Sequence, residues 1–231
     1  MFEFLRFLAN PVFVIAWYAV GLLGAAWVLY DTLSVNTYVN QALKAAWPII
    51  VFFFSVIGLA LYWWTCRPPN IAEKEGEAAE EAHNDYVTSS AKKVTGSVIH
   101  CVGGDGLGII TAMVALRLLD VSFWTEFWVE YAVGFAFGWV LFQTPALKNI
   151  GNDLTEALWK GGRAEFFSMI TVMLGMGSVM RFITPSVVGH APDPTTAAFW
   201  GFAMLGLLVG MIFTYPMNAV LVKIDWKHGM A

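Results

Sequence analysis

A chain of 231 residues that is 58% hydrophobic and only 13% charged lies outside the range of soluble domains, where about a quarter of residues are charged. Lys and Arg are scattered singly, so no basic face for nucleic acid forms, and the net charge of −4 reflects acids gathered in one loop. The two cysteines end one apolar run and sit inside another, which argues against a disulfide framework.

The first apolar run, Pro11 to Tyr30, lacks a small-x-small cleavage site and reads as a retained span. Six runs can cross ~30 Å of hydrocarbon at ~1.5 Å per residue: 11–30, 45–64, 94–118, 125–146, 164–184 and 198–221. The expected fold is an all-α integral membrane protein with six transmembrane helices in a lipid bilayer. Six crossings put Arg6, Arg67, Lys74, Lys92, Lys93, Lys148, Lys160, Arg163, Lys223 and Lys227 on one side, against Lys44, Arg117 and Arg181. The positive-inside rule then places the N and C termini in the cytoplasm. Trp63, Trp64, Trp124, Trp128, Trp200 and Trp226 fall near span limits, where indoles anchor.

Composition divides the chain into a two-span N-terminal hairpin (1–66), an acidic cytoplasmic linker (67–91) and a four-span body (92–231). "PPNIAEKEGEAAEEAHND" (68–85) reads as a mobile linker or solvated helix, or more sharply as a cation collector containing His83. "LKNIGNDLTEALWKGGR" (147–163) puts Leu147, Ile150, Leu154 and Leu158 on one face. It predicts a helix lying flat in the interface and ended by Gly161-Gly162.

Span three carries "VIHCVGGDGLG" (98–108). Asp105 near mid-span costs at least about 2.5–3.5 kcal/mol to insert, so it must face protein or water. Cys101 and Asp105, at i and i+4, share a helix face. His100 joins them only if the Gly103-Gly104 step unwinds, as in broken-helix transporter sites, or it meets a different helix. A polar structural core explains the same residues.

Span five carries "MITVMLGMGSVM". Met169, Met173, Met176 and Met180 form a stripe about 60° wide at 100° per residue, and Glu165 continues that face. Thioether sulfur is a soft ligand suited to Cu(I), although such stripes also fill helix cores. Gly134/Gly138 and Gly206/Gly210 imply close packing. "GFAFGWVLFQTP" in span four and "GLLVGMIFTYP" in span six resemble each other, so the hairpins of spans 3–4 and 5–6 form a possible parallel repeat. No CxxC, HExxH, Gly-x-Ser-x-Gly or phosphate-loop motif occurs, which gives no catalytic residue to an enzyme acting alone.

The body resembles a prokaryotic family of multi-pass membrane proteins with domain of unknown function 4396, over about residues 92–231. His100, Cys101 and Gly104, then Ser168, then "YPMNAVLVKIDWKHG" with Pro216, Asn218 and His228 carry the resemblance. Asp105, Ile109 and Met173 depart from it, standing where the family often has Cys or acids. The resemblance implies that His100, Cys101 and Asn218 belong to a shared core, in a bacterial or archaeal cytoplasmic membrane.

The leading expectation is a permease for a soft metal cation, copper favoured. His100, Cys101 and Asp105 would form the site and the Met stripe a relay, with Glu165 and Asn218 at the mouth. The alternatives are a non-catalytic subunit or assembly factor of a larger membrane complex, or a proton conductor using Asp105 and His100. A homo-oligomer is compatible with each.

Overall fold

The computed structural model describes residues 2–119 and 121–230, and every regular element among them is helical. Five helical stretches are long and apolar enough to cross a membrane: Pro11–Ser34, Gln41–Thr65, Ser90–Arg117, Leu154–Val188 and Ala197–Lys223. Their outer side chains match lipid rather than water, with Val12, Ile15, Leu23 and Phe182 each more than two-thirds exposed. The first, α1 (Pro11–Ser34), starts where the Asn10 side chain accepts from the backbone N–H of Val12 and Phe13, with Pro11 in the first turn.

α2 (Gln41–Thr65) does not run straight. Ser55 adopts φ 48°, ψ −123°, and the chain doubles back there. Seven residues of straight helix span about 10 Å, yet a Cβ on Gly58 would lie 2.8 Å from the Val51 Cα. Trp47 and Tyr62 likewise meet edge to face at 5.4 Å. The segment expected as a second crossing is therefore a two-armed hairpin that enters and leaves at one end of the bundle. Near its tip the Trp17 Nε1–H donates to the Phe53 carbonyl (2.9 Å), supplying a partner for backbone at the break.

A polar latch closes the hairpin's mouth. Asp31, at the end of α1, accepts from the Tyr62 hydroxyl (2.6 Å) and pairs with Arg67 (3.0 Å). Asn36 Nδ2 donates to the Cys66 carbonyl (2.9 Å), and Asn36 Oδ1 bonds His83 Nδ1 (2.9 Å). His83 lies on α3 (Gly76–Tyr86), so the acidic stretch is a folded helix docked through a buried imidazole. Burial pushes that imidazole down to about 4.

α4 (Ser90–Arg117) is the central helix, and 78% of its most apolar stretch is buried. Its backbone stays helical through Gly103 and Gly104, contrary to the unwound step that a His100–Asp105 convergence needs. The glycines instead admit three neighbours. A Cβ would meet Ala46 of α2 at 3.3 Å from Gly103, Phe142 at 2.9 Å from Gly104, and Leu207 at 2.8 Å from Gly106.

α5 (Phe123–Ala136) passes through a π-helical turn, Phe137–Gln143, into α6 (Thr144–Asn149). α7 (Leu154–Ser178) passes through a second, Val179–Ile183, into α8 (Thr184–Val188). Each wide turn precedes a Thr-Pro pair. Proline lacks an N–H, and the threonine hydroxyl donates to the carbonyl five residues back, Thr144 to Trp139 (2.9 Å) and Thr184 to Val179 (3.0 Å). This device links the fourth and fifth expected spans, whereas the sequence likeness linked the fourth and sixth. α9 (Ala197–Lys223) continues helically past Pro216.

The flat helix expected over 147–163 is also replaced. Asp153 caps α7 by accepting from the Glu156 N–H (2.8 Å), and Gly161-Gly162 lie inside that helix under Trp139, whose Nε1–H donates to the Leu158 carbonyl (2.8 Å).

Among the described residues, Leu8 and Met230 lie at opposite ends of the bundle, not on one side. Tyr18 of α1 donates to the Trp200 carbonyl at the start of α9 (3.1 Å), and Gly201 abuts the Leu8 carbonyl. The C-terminal tail returns to the start of α4, where the Met230 N–H donates to the Lys93 carbonyl (3.2 Å).

Candidate functional site

Three helices and the tail converge on one buried polar cluster. α4 supplies Cys101 and Asp105 one turn apart; α7 supplies Glu165 and Ser168, and α9 Thr214 and Asn218, at spacings that keep each pair on one helix face. One ligand atom from each of Cys101, Asp105 and Glu165 lies within 4.8 Å of the others, and all three residues are buried. The Cys101 thiol donates to Glu165, with both carboxylate oxygens 3.2 Å away. Neither Asp105 oxygen has a hydrogen-bond partner.

Gly138, in the π-turn after α5, forms the wall opposite. A Cβ there would run into Asp105 Oδ1 and stand 2.8 Å from Glu165 Oε1, so the carboxyls occupy room that only glycine leaves.

The fourth charged member is Lys227. After α9 the Trp226 and Lys227 N–H groups both return to the Leu221 carbonyl (2.9 and 3.1 Å), a tight turn with Asp225 at φ 56°. Trp226 is held beneath the Arg163 guanidinium at 4.2 Å. The turn points Lys227 inward, and its Nζ donates to Cys101 Sγ (2.6 Å) and Ser168 Oγ (3.3 Å). Ser168 in turn donates to Asn218 Oδ1 (3.5 Å), and Asn218 Nδ2 donates back to Thr214 (3.0 Å).

His100 does not join. It is fully buried but faces away, edge-on to the Phe142 ring at 5.5 Å, and it lines a cavity of about 230 Å³ with Gln41 and Asn149. Neither ring nitrogen has a partner. The helical step of 100° per residue accounts for this: with α4 unbroken, residues 100 and 105 stand about 140° apart.

The methionine stripe faces inward. Met169, Met173 and Met176 are buried and Met180 is half-buried. A Cβ on Gly134 would lie 2.6 Å from Met169 Cε and 3.3 Å from the Asp105 carbonyl oxygen, so Met169 sits beside the acidic cluster. Met173, Met176 and Met180 continue toward the opposite end, where they line a small cavity with Met113 and Glu130. At that end Arg117 pairs with Glu126.

Of the residues singled out in the sequence, the structure brings Cys101, Asp105, Glu165 and Asn218 together, with Glu165 and Asn218 inside the cluster rather than at a mouth, and turns His100 away from it. Sequence reasoning missed Lys227, counted only as a tail charge, since nothing in its spacing marks a side chain that folds back. It also missed Glu130, where a signal existed: an acid well inside an apolar span, the argument already applied to Asp105.

A family model described as "Domain of unknown function (DUF4396)" matches residues 90–227. The chain belongs to this family. No curated protein and no solved structure matches it. The DUF4396 region begins at α4 and ends at Lys227, so it contains every member of the buried cluster and leaves out α1, the α2 hairpin and α3.

Proposed function

We propose that this DUF4396 protein is a membrane permease for a soft transition-metal cation, with copper as Cu(I) favoured. The observation that carries the reading is a buried thiol that accepts from the Lys227 ammonium and donates to Glu165, with the Asp105 carboxyl close by, beside a line of thioethers. A monovalent cargo replaces the ammonium charge for charge, whereas a divalent ion brings a second positive charge into the same buried site. Cys101 and Met169 offer sulfur, and soft sulfur ligands select Cu(I).

The orientation follows from the α2 reversal. The chain crosses with α1, α4, α5–α6, α7–α8 and α9, which is five times, and α2 re-enters. Lys44 then joins the charge-rich end and Arg6 leaves it, so that end keeps ten of the thirteen basic residues. It faces the cytoplasm by the positive-inside rule, with the C terminus inside and the N terminus outside. The Cys101 site opens toward the cytoplasmic end through Lys227. The membrane is a bacterial or archaeal cytoplasmic membrane.

Proton conduction is the second reading, favoured by the closeness of Asp105 and Glu165, with His100 now outside the path. A role as a subunit of a larger membrane complex draws on the same exposed apolar surface that lipid covers and has no observation of its own. Elemental analysis of purified protein after equilibration with Cu(I) separates these readings. One copper ion fewer per chain in Cys101→Ser and in Glu165→Gln than in the native chain supports the permease. Copper absent from the folded native chain overturns it.

A further inference from the structure

A second polar feature lies at the other end of the methionine line. α4, α5 and α7 enclose a cavity of about 30 Å³, room for one or two water-sized occupants. Four of the ten methionines in the chain, Met113, Met173, Met176 and Met180, line it. Random core filling spreads flexible thioethers among many helices, whereas here they surround a single void. Into the same cavity comes Glu130, 7% exposed, whose Oε1 has no hydrogen-bond partner. A buried carboxyl oxygen without a partner loses its hydration with no return, and a cation beside it supplies that return.

We infer that this cavity is a second metal site, specific for a soft monovalent ion such as Cu(I) or Ag(I), with thioethers as ligands and Glu130 as counter-charge. Thioether sulfur binds hard and borderline divalent ions weakly, so the site discriminates against Zn(II) more strongly than the thiol-and-carboxylate cluster does. The Arg117–Glu126 ion pair also lines the cavity, each charge engaged by the other. Met173 and Met176 are shared with the inward line leading to Met169, so an ion held here is in register to move toward Asp105 and Glu165. That passage rests on the permease reading, whereas binding at the cavity does not.

The test is silver stoichiometry, Ag(I) serving as a redox-inert probe on the full chain in detergent. The native protein retains two silver ions per chain. Met113→Leu/Met176→Leu/Met180→Leu retains one, as does Cys101→Ser, and the combined variant retains none. Leucine for methionine conserves volume, so these variants keep their fold, checked by their melting transitions. Glu130→Gln weakens one of the two binding steps about tenfold, as expected when a buried counter-charge is removed. Unchanged silver content in the triple leucine variant overturns the second site. If Cys101→Ser retains both ions while the leucine variant loses one, the inner-site reading fails and the outer site stands.

Discussion

At the residue scale, the deciding contact is between Lys227 and Cys101. An ammonium buried against a thiol is stable only while acids nearby carry a compensating charge, and Glu165 and Asp105 provide it. Under the permease reading, Lys227 is a tethered competitor for the cargo. Lys227→Met is therefore expected to tighten Cu(I) binding by about tenfold, or ~1.4 kcal/mol, measured by competition against a chromogenic chelator. Weaker binding in that variant would make Lys227 a ligand-positioning group instead. Cys101 and Asp105 were legible in the sequence because i, i+4 spacing fixes a shared face whatever the neighbours do. Lys227 was not, because its position depends on a tail turn stabilised by Trp226 and Arg163, and no local pattern records such long-range contacts.

At the element scale, hydropathy reads length and apolarity but not direction. α2 satisfies every criterion for a straight crossing and still reverses, because one residue, Ser55, takes a positive φ that no side-chain pattern announces. Pro48 is no substitute signal, since the helix runs through it. What keeps the reversal closed is the latch of Asp31, Tyr62, Arg67, Asn36 and His83. His83 makes this latch pH-dependent. In the folded state burial holds the imidazole neutral down to about pH 4, while the unfolded segment titrates near ~6.5. Between those values the unfolded form binds the extra proton, so stability is full above ~6.5 and falls as the pH drops toward 4. Amide exchange across 76–86, corrected for intrinsic rates, is expected to lose protection on acidification through that window. His83→Gln is expected to flatten the dependence. The Gly161-Gly162 pair teaches a similar lesson: read as a helix stop, it is a landing for Trp139, and packing overrides the local propensity.

At the scale of the whole molecule, the reversal changes topology without disturbing the charge count. Exchanging Arg6 for Lys44 leaves the bias at ten to three, so the basic residues alone favour both arrangements equally. Membrane-impermeant thiol labelling distinguishes them. In a background with Cys66 and Cys101 replaced, Gln41→Cys and Glu73→Cys are expected to label only from the cytoplasmic side, and Glu3→Cys only from outside. Labelling of Gln41→Cys and Glu73→Cys from opposite sides would restore the six-crossing arrangement. The family boundary at α4 carries the same division, since the cluster and the methionine line lie within the shared region and the latch lies beyond it.

The most direct test of cation passage through the buried cluster is flux. Proteoliposomes containing the native chain and loaded with a Cu(I)-responsive dye are expected to admit copper at a rate set by protein content. Cys101→Ser and Glu165→Gln reduce that rate at least about tenfold, as loss of one site ligand implies. Equal copper entry in native, variant and protein-free vesicles would contradict the permease.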